Sequence, residues 1–158
     1  MQIESVNTSP GGIPKLPHPT RRVLVAGLEG DGHDHESHRS PIQAVCMIDV
    51  ELVEAQGLTP GALGENLTLR GADLQSRGLG DRIHFSSGLE LEITKVRTPC
   101  FVLDSISTDL KHTMWNRIGM YAKVLTEGTV APGDSFEILE VGPGPRPALR
   151  GKPPEPDQ

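Results

Sequence analysis

Glycine and proline interrupt this sequence so often that few long regular elements fit between them: 18 glycines and 14 prolines are spread over 158 residues. Inside a helix, glycine gives up more backbone entropy than any other residue, and proline removes a hydrogen bond and clashes with the preceding turn. The apolar runs left between these breaks are mostly about four to eight residues long, the length of strands. Residues 3–6, 22–28, 66–69, 82–85, 89–96, 121–125 and 135–139 read as strands, and 44–48 as a buried-type apolar run. In 89–96 the pattern Leu-Glu-Leu-Glu-Ile-Thr-Lys-Val alternates apolar with polar, the signature of a half-buried strand. Two stretches read as helix. Asp49 caps a short one through Gln56 that Gly57 ends, and 107–118 carries Ser107 as cap with Leu110, Met114 and Ile118 on one face. Many short strands with one or two helices predict a mainly β chain, a small barrel or sandwich.

The length suits one domain, which buries roughly 68–70% of its unfolded surface. With three Phe, one Trp and one Tyr, its core has to be built from Val, Leu and Ile. The domain is expected over residues 1–141. Nine of the last 17 residues, 142–158, are Gly or Pro, and that stretch is expected to be a flexible tail without a core of its own.

A net charge of −6 and a pI near 5.5 argue against a general nucleic-acid or anionic-membrane surface, while leaving room for a small anion on a local basic cluster. Two cysteines are too few for a secreted disulfide scaffold. The N-terminal residues lack the pattern of a signal peptide, and no apolar run approaches the length of a membrane span, so a cytoplasmic setting is expected.

Cys100 stands out among the groups able to carry chemistry. Pro99 stops the strand, which puts the thiol at its rim, with Lys95 and Arg97 just upstream to favour a thiolate. It is either a nucleophile or soft-metal ligand, or a small buried hydrophobe. Cys46, inside Ala44-Val45-Cys46-Met47-Ile48, is expected to pack as a hydrophobe. The segment 33–39 holds His33, His35 and His38 with Asp34 and Glu36, yet lacks the spacing of a zinc site and reads as a polar loop facing ligand or solvent. Gly64-Glu65-Asn66 is either a tight turn or a place where backbone approaches a ligand. Lys15, Arg21 and Arg22 are able to serve a phosphate or remain solvated. Gly27, Gly30 and Gly32 are not spaced as a dinucleotide fingerprint, and neither a P-loop nor a nucleophile elbow is present.

Taken in order, Gly12-Ile13-Pro14-Lys15, Gly27-Leu28-Glu29-Gly30-Asp31-Gly32-His33, His38-Arg39, Pro60-Gly61-Ala62-Leu63-Gly64-Glu65-Asn66-Leu67, Gly80-Asp81-Arg82, Arg97-Thr98-Pro99-Cys100, the run 119–125 and Gly128 with Gly133-Asp134 resemble the MOSC domain. That name refers to the C-terminal domain of molybdenum-cofactor sulfurases, and the resemblance covers about residues 1 to 140. It implies a small closed β-barrel of the pyruvate-kinase-barrel-like kind. It further implies that the chain binds a molybdenum–pyranopterin cofactor or carries sulfur for its maturation, with Cys100 as catalytic thiol and metal ligand. Lys15, Arg39 and Arg97 would offset the ligand's negative charge, and His33, His38, Glu65 and Asn66 would orient its polar groups. Alternatives within the resemblance are a molybdenum-dependent reductase of N-hydroxylated compounds and a non-catalytic adaptor delivering cofactor. The implied partners are an anionic pterin or sulfur donor, and a cysteine desulfurase or molybdoenzyme. No aminotransferase-like segment is present in these residues, so no pyridoxal phosphate site is expected. The His-Gly-Gly-x-Asp-Lys-type segment of some members is replaced here by residues 37–45.

Overall fold

The structure, a computed structural model, describes residues 1–32, 41–99, 103, 105–107, 109–114 and 117–141. Cys100, His33, His38, Arg39 and the 142–158 tail lie outside the described residues. In chain order the strands are β1 (Gln2–Thr8), β2 (Leu16–Pro17), β3 (Arg21–Leu24), β4 (Gly27–Leu28), β5 (Val45–Asp49), β6 (Leu67–Arg70), β7 (Arg82–Phe85), β8 (Glu90–Val96), β9 (Met120–Thr126), β10 (Gly128–Val130) and β11 (Phe136–Leu139). Helix α1 (Val50–Ala55) lies between β5 and β6, and α2 (Leu110–Thr113) between β8 and β9.

An eight-stranded sheet runs β11-β7-β8-β9-β5-β6-β1-β2, and a smaller one runs β10-β3-β4. Neighbours pair antiparallel except β5 and β6, which are parallel and joined by a connection containing α1. The expectation of a mainly β chain with few short helices holds. The large sheet has two ends, β11 and β2, and its ladders do not form the expected closed ring. What crosses from β1 toward β11 is an isolated Gln2–Ser135 bridge, with the Ile3 N–H donating to the Asp134 carbonyl and the Gly133 N–H to the Ile3 carbonyl, both at 2.8 Å.

One apolar cluster, including Ile3, Val6, Val45, Met47, Leu67, Leu69, Ile83, Leu91, Ile93 and Met120, packs on the inner face of the large sheet. In β8 the alternation places Leu91 and Ile93 inside. A register shift between Ile93 and Lys95 then leaves Lys95 exposed and turns Val96 inward. The second cluster brings Leu110, Met114 and Ile118 against Ile48, Val53 and Leu63, the face expected of the 107–118 helix, although the helical turn itself spans only Leu110–Thr113.

Other elements differ from the sequence reading. Residues 22–28 form two strands rather than one, because Gly27 adopts φ +126° and its Cα packs against β5's approach, where a Cβ would lie 2.6 Å from the Ala44 carbonyl oxygen. The three-residue β10, outside the strands expected from sequence, pairs with β3.

Gly119 marks a tight crossing. Its carbonyl accepts from the Arg97 N–H at 3.1 Å, its φ is +105°, and an added Cβ would lie 1.9 Å from the Met47 carbonyl oxygen. Gly119→Ala is therefore expected to lower stability by about 1–3 kcal/mol from backbone strain alone, with the clash added. Urea unfolding measures it, and a loss under about 0.5 kcal/mol, the usual range of a surface change, would contradict the geometry.

Asp49 precedes α1 as expected but makes no cap hydrogen bond. Its two oxygens, at 3.2 and 3.0 Å, accept instead from the Leu74 N–H. Burial pushes its carboxyl up to about 6, helped by Glu51 and Asp73 and opposed by the Leu74 N–H and by Arg77. Because the folded value exceeds the unfolded one, this group's contribution to stability is fully present below about pH 4 and is lost as pH rises through about 6. The effect is on the order of 3 kcal/mol. Wild type should thus gain stability relative to Asp49→Asn between pH 7.5 and pH 4.5 in urea titrations. A wild-type-minus-variant difference independent of pH would contradict it.

Candidate functional site

The ends of β1, β5 and β6 meet the turn after β4, and this junction is polar although it is buried. Asp31 is anchored there by Lys15, Ser9 and Asn66. The Lys15 ammonium donates to its two oxygens at 3.0 and 2.7 Å, the Ser9 N–H donates to Oδ1 at 3.1 Å, and Asn66 Nδ2 donates to Oδ2 at 3.0 Å. The Lys15 and Asp31 side chains are 10% and 1% exposed, so this is a buried ion pair. The backbone fits around it only with glycine: at Gly61 (φ +91°) a Cβ would lie 2.1 Å from the Lys15 carbonyl oxygen.

Asn66 binds in both directions. Its Oδ1 accepts from the Cys46 N–H at 3.0 Å, its Nδ2 also reaches the Asn7 carbonyl at 3.3 Å, and its own N–H donates to the Cys46 carbonyl at 2.8 Å. A side chain that is acceptor at one atom and donor at the other is required, which aspartate is not. Glu65 is also fully buried. Its Oε2 accepts from the Thr68 hydroxyl at 2.7 Å and the Gly61 N–H at 3.1 Å, while Oε1 has no hydrogen-bond partner among the described residues. Asn7 ties the two halves together, donating to the Glu65 carbonyl and to Thr68 Oγ1.

Arg97 leaves the end of β8 and its Nη2 donates to the Leu63 carbonyl at 2.6 Å. That places the guanidinium against Gly64, where a Cβ would lie 3.3 Å from Nη2 and 2.7 Å from Ile13 Cγ2. The Cys46 thiol is buried, as the sequence reading expects. Burial pushes it up, Arg97 and Lys15 pull it down, and Glu65 and Asp31 push it up again. Its electrostatic surroundings are therefore the charged groups of this junction, although its burial keeps it protonated and unreactive.

Of the residues singled out from sequence, Lys15, Glu65, Asn66 and Arg97 come together here. Cys100, His33, His38 and Arg39 lie outside the described residues, as does any contact they make. Asp31, Asn7 and Thr68 were not singled out. The available signal for Asp31 was a carboxylate between Gly30 and Gly32 directly before the histidine-rich segment. Among the described residues no three His, Cys, Asp or Glu side chains are grouped to hold a metal, and no helix is long and apolar enough to cross a membrane.

A mainly β fold with a mixed eight-stranded sheet, a buried polar junction and a Gly-Glu-Asn turn defines a class: the family model of the MOSC domain matches residues 31–137, and the chain belongs to that family. Among proteins, it is 31% identical over 143 residues to YflK, an uncharacterized protein of Bacillus subtilis, covering 83% of this chain and 64% of that one. It is 33% identical over 84 residues to a protein named a reductase from Gibberella moniliformis, covering 51% of this chain and 15% of the other. The chain thus spans less than two thirds of either relative. Among solved structures, the YuaD protein of Bacillus subtilis superimposes with a TM-score of 0.73 at 21% identity, covering 88% of this chain and 95% of that one. YiiM from Geobacillus stearothermophilus gives 0.71 at 28% identity, covering 90% and 77%.

Proposed function

We propose that this chain binds a molybdenum–pyranopterin cofactor or carries sulfur for its maturation, with the Cys100 thiolate as the sulfur or metal anchor. The observation that supports it is the buried polar junction beside Leu63, whose carbonyl is reached by Arg97, three residues before that cysteine in sequence; there Glu65 Oε1 is a buried acceptor without a partner among the described residues. Leaving such an oxygen unpaired costs about 1–3 kcal/mol, which a ligand N–H would recover. A pterin, with ring N–H donors and a phosphate, fits that requirement together with the Arg97 guanidinium. Thiolate is the soft ligand that molybdenum or transferable sulfur calls for. When bound, the cofactor supplies a redox-active, sulfur-ligated metal.

The chain's own residues divide the work. Arg97 and Arg39 meet the ligand's charge directly, because the Lys15 ammonium is already shared with Asp31. Asn66 holds Asp31 and Cys46 in place rather than reaching outward. His33 and His38 orient polar ligand groups or relay protons. In this reading the large sheet belongs to a small barrel, which the isolated Gln2–Ser135 bridge between its two sides supports. The setting is cytoplasmic, with a cysteine desulfurase or a molybdoenzyme as partner. A second reading, reduction of N-hydroxylated compounds, draws on the partial match to the protein named a reductase.

Anaerobic titration of the apo-protein with free cofactor, followed by a benzylhydroxylamine reduction assay, tests both. Binding without turnover supports the carrier, and binding with turnover supports the reductase. No binding by wild type, with no persulfide formed on Cys100 from a sulfur donor, would overturn the proposal.

A further inference from the structure

We propose that an open groove on the small sheet, formed by β3, β10 and the turn after β4, binds a phosphate group of a small ligand, with Arg21 as its fixed guanidinium. The groove encloses about 360 Å³ and is lined by Thr20, Arg21, Arg22, Glu29, Gly30 and Thr129. That volume lies in the range of small-ligand pockets, roughly 300–1,000 Å³. Its walls carry two guanidinium groups, the Glu29 carboxylate, the Thr129 hydroxyl and no large apolar side chain, the Thr20 hydroxyl being committed to the Val130 carbonyl at 3.1 Å, so a ligand held there is recognised by charge and hydrogen bonds.

Arg21 is held in place before any ligand arrives. Nη1 donates to the Thr20 carbonyl at 3.0 Å and Nη2 to His18 Nδ1 at 2.9 Å. Arginine only donates, so His18 Nδ1 is the unprotonated nitrogen and Nε2 carries the hydrogen, donating to Thr8 Oγ1 at 2.7 Å. The neutral ring thus anchors Arg21 to β1. Burial and the Arg21 charge both hold His18 below the usual histidine pKa, which keeps it neutral. Two of the five guanidinium N–H groups are used among the described residues, and three remain to meet a tetrahedral anion. Ordering a long side chain normally opposes binding, and here that ordering is already present.

The second cation is looser. Arg22 faces Glu29 at 3.6 Å with both heads largely exposed, a pair that contributes little and yields readily to a dianion. Thr129 lies opposite Arg22 in the β10–β3 register, which sets its hydroxyl beside that cation. On a chain of net charge −6 this pair of arginines is a local exception to the overall field, suited to a compact anion rather than a polyanion. The groove shares no residue with the proposed cofactor site.

Calorimetric titration of the full chain with inorganic phosphate and with pyrophosphate, at low ionic strength and with chloride controls, tests it. Saturable one-site binding is expected, tighter for pyrophosphate. Arg21→Lys, which keeps the charge but loses the fork, should weaken it about tenfold. Glu29→Gln should tighten it about threefold by removing the competing carboxylate. Arg39→Ala, which removes a cation assigned to the other site, should not abolish it. Absence of saturable binding in wild type would overturn the proposal. So would affinities indifferent to both Arg21→Lys and Glu29→Gln, or loss of phosphate binding in Arg39→Ala, which would put the anion in the other site. The cofactor titration reads the other site separately, so either proposal can fail while the other stands.

Discussion

Lys15→Ala is expected to lower unfolding stability by about 3–5 kcal/mol, because it leaves the Asp31 carboxylate buried without its counter-charge. The Asp31 side chain is 1% exposed, and the Ser9 N–H and Asn66 Nδ2 that also donate to it are neutral groups that do not replace the lost ammonium. At this chain length such a loss corresponds to a fall of roughly 6–20 °C in Tm. Asp31→Ala should cost a similar amount, since it strands the Lys15 ammonium and frees Asn66 Nδ2 and the Ser9 N–H together. The paired replacement Lys15→Met with Asp31→Leu should recover part of either loss, as removing both charges also removes the desolvation that each suffered. Urea unfolding of these four proteins, together with the Lys15→Ala/Asp31→Ala double variant that closes a double-mutant cycle, gives the coupling. Two single variants that each lose under about 1 kcal/mol would mean that the pair behaves as an exposed one, and the buried junction would be wrong.

The largest functional effect is expected at the two cysteines, in opposite directions. Cys100→Ser should abolish cofactor or sulfur binding while leaving the unfolding free energy within about 1 kcal/mol of wild type, as expected from the sequence reading of a thiol just past a strand's end. Cys46→Ser should retain binding but lose about 1–3 kcal/mol of stability, because a hydroxyl then replaces a thiol in a fully enclosed place. The Cys46 backbone bonds to Asn66 are unaffected by the exchange, so the junction's geometry survives it. Anaerobic ligand titration beside urea unfolding separates the two effects. Equal loss of binding in both variants at equal stability would contradict the assignment of roles.

The legible parts of this fold were those governed by nearest neighbours. Strands β7 and β8 could be read because alternation and flanking glycines act within a few residues, and Gly57 ends α1 with the positive φ expected of it. The hairpin of β3 and β4 was not legible, since it depends on the Ala44 carbonyl coming close to Gly27 from 17 residues away. The helix over 107–118 was read longer than the turn that forms, while its buried face was read correctly, because burial follows apolar spacing even where hydrogen bonding is irregular. At the site, Lys15, Glu65, Asn66 and Arg97 were nameable as residue types. What was hidden is how they are partnered: Asp31 neutralises Lys15 across 16 residues and draws Asn66 in across 35, and no local pattern carries such a pairing.

The most direct test of the central claim is the pterin and molybdenum content of the chain purified anaerobically from a cofactor-producing host, compared with its Cys100→Ser variant. The account predicts pterin or cysteine-bound sulfur retained near stoichiometry by wild type and absent from the variant. Equal content in the two proteins, or neither group in wild type, would contradict it.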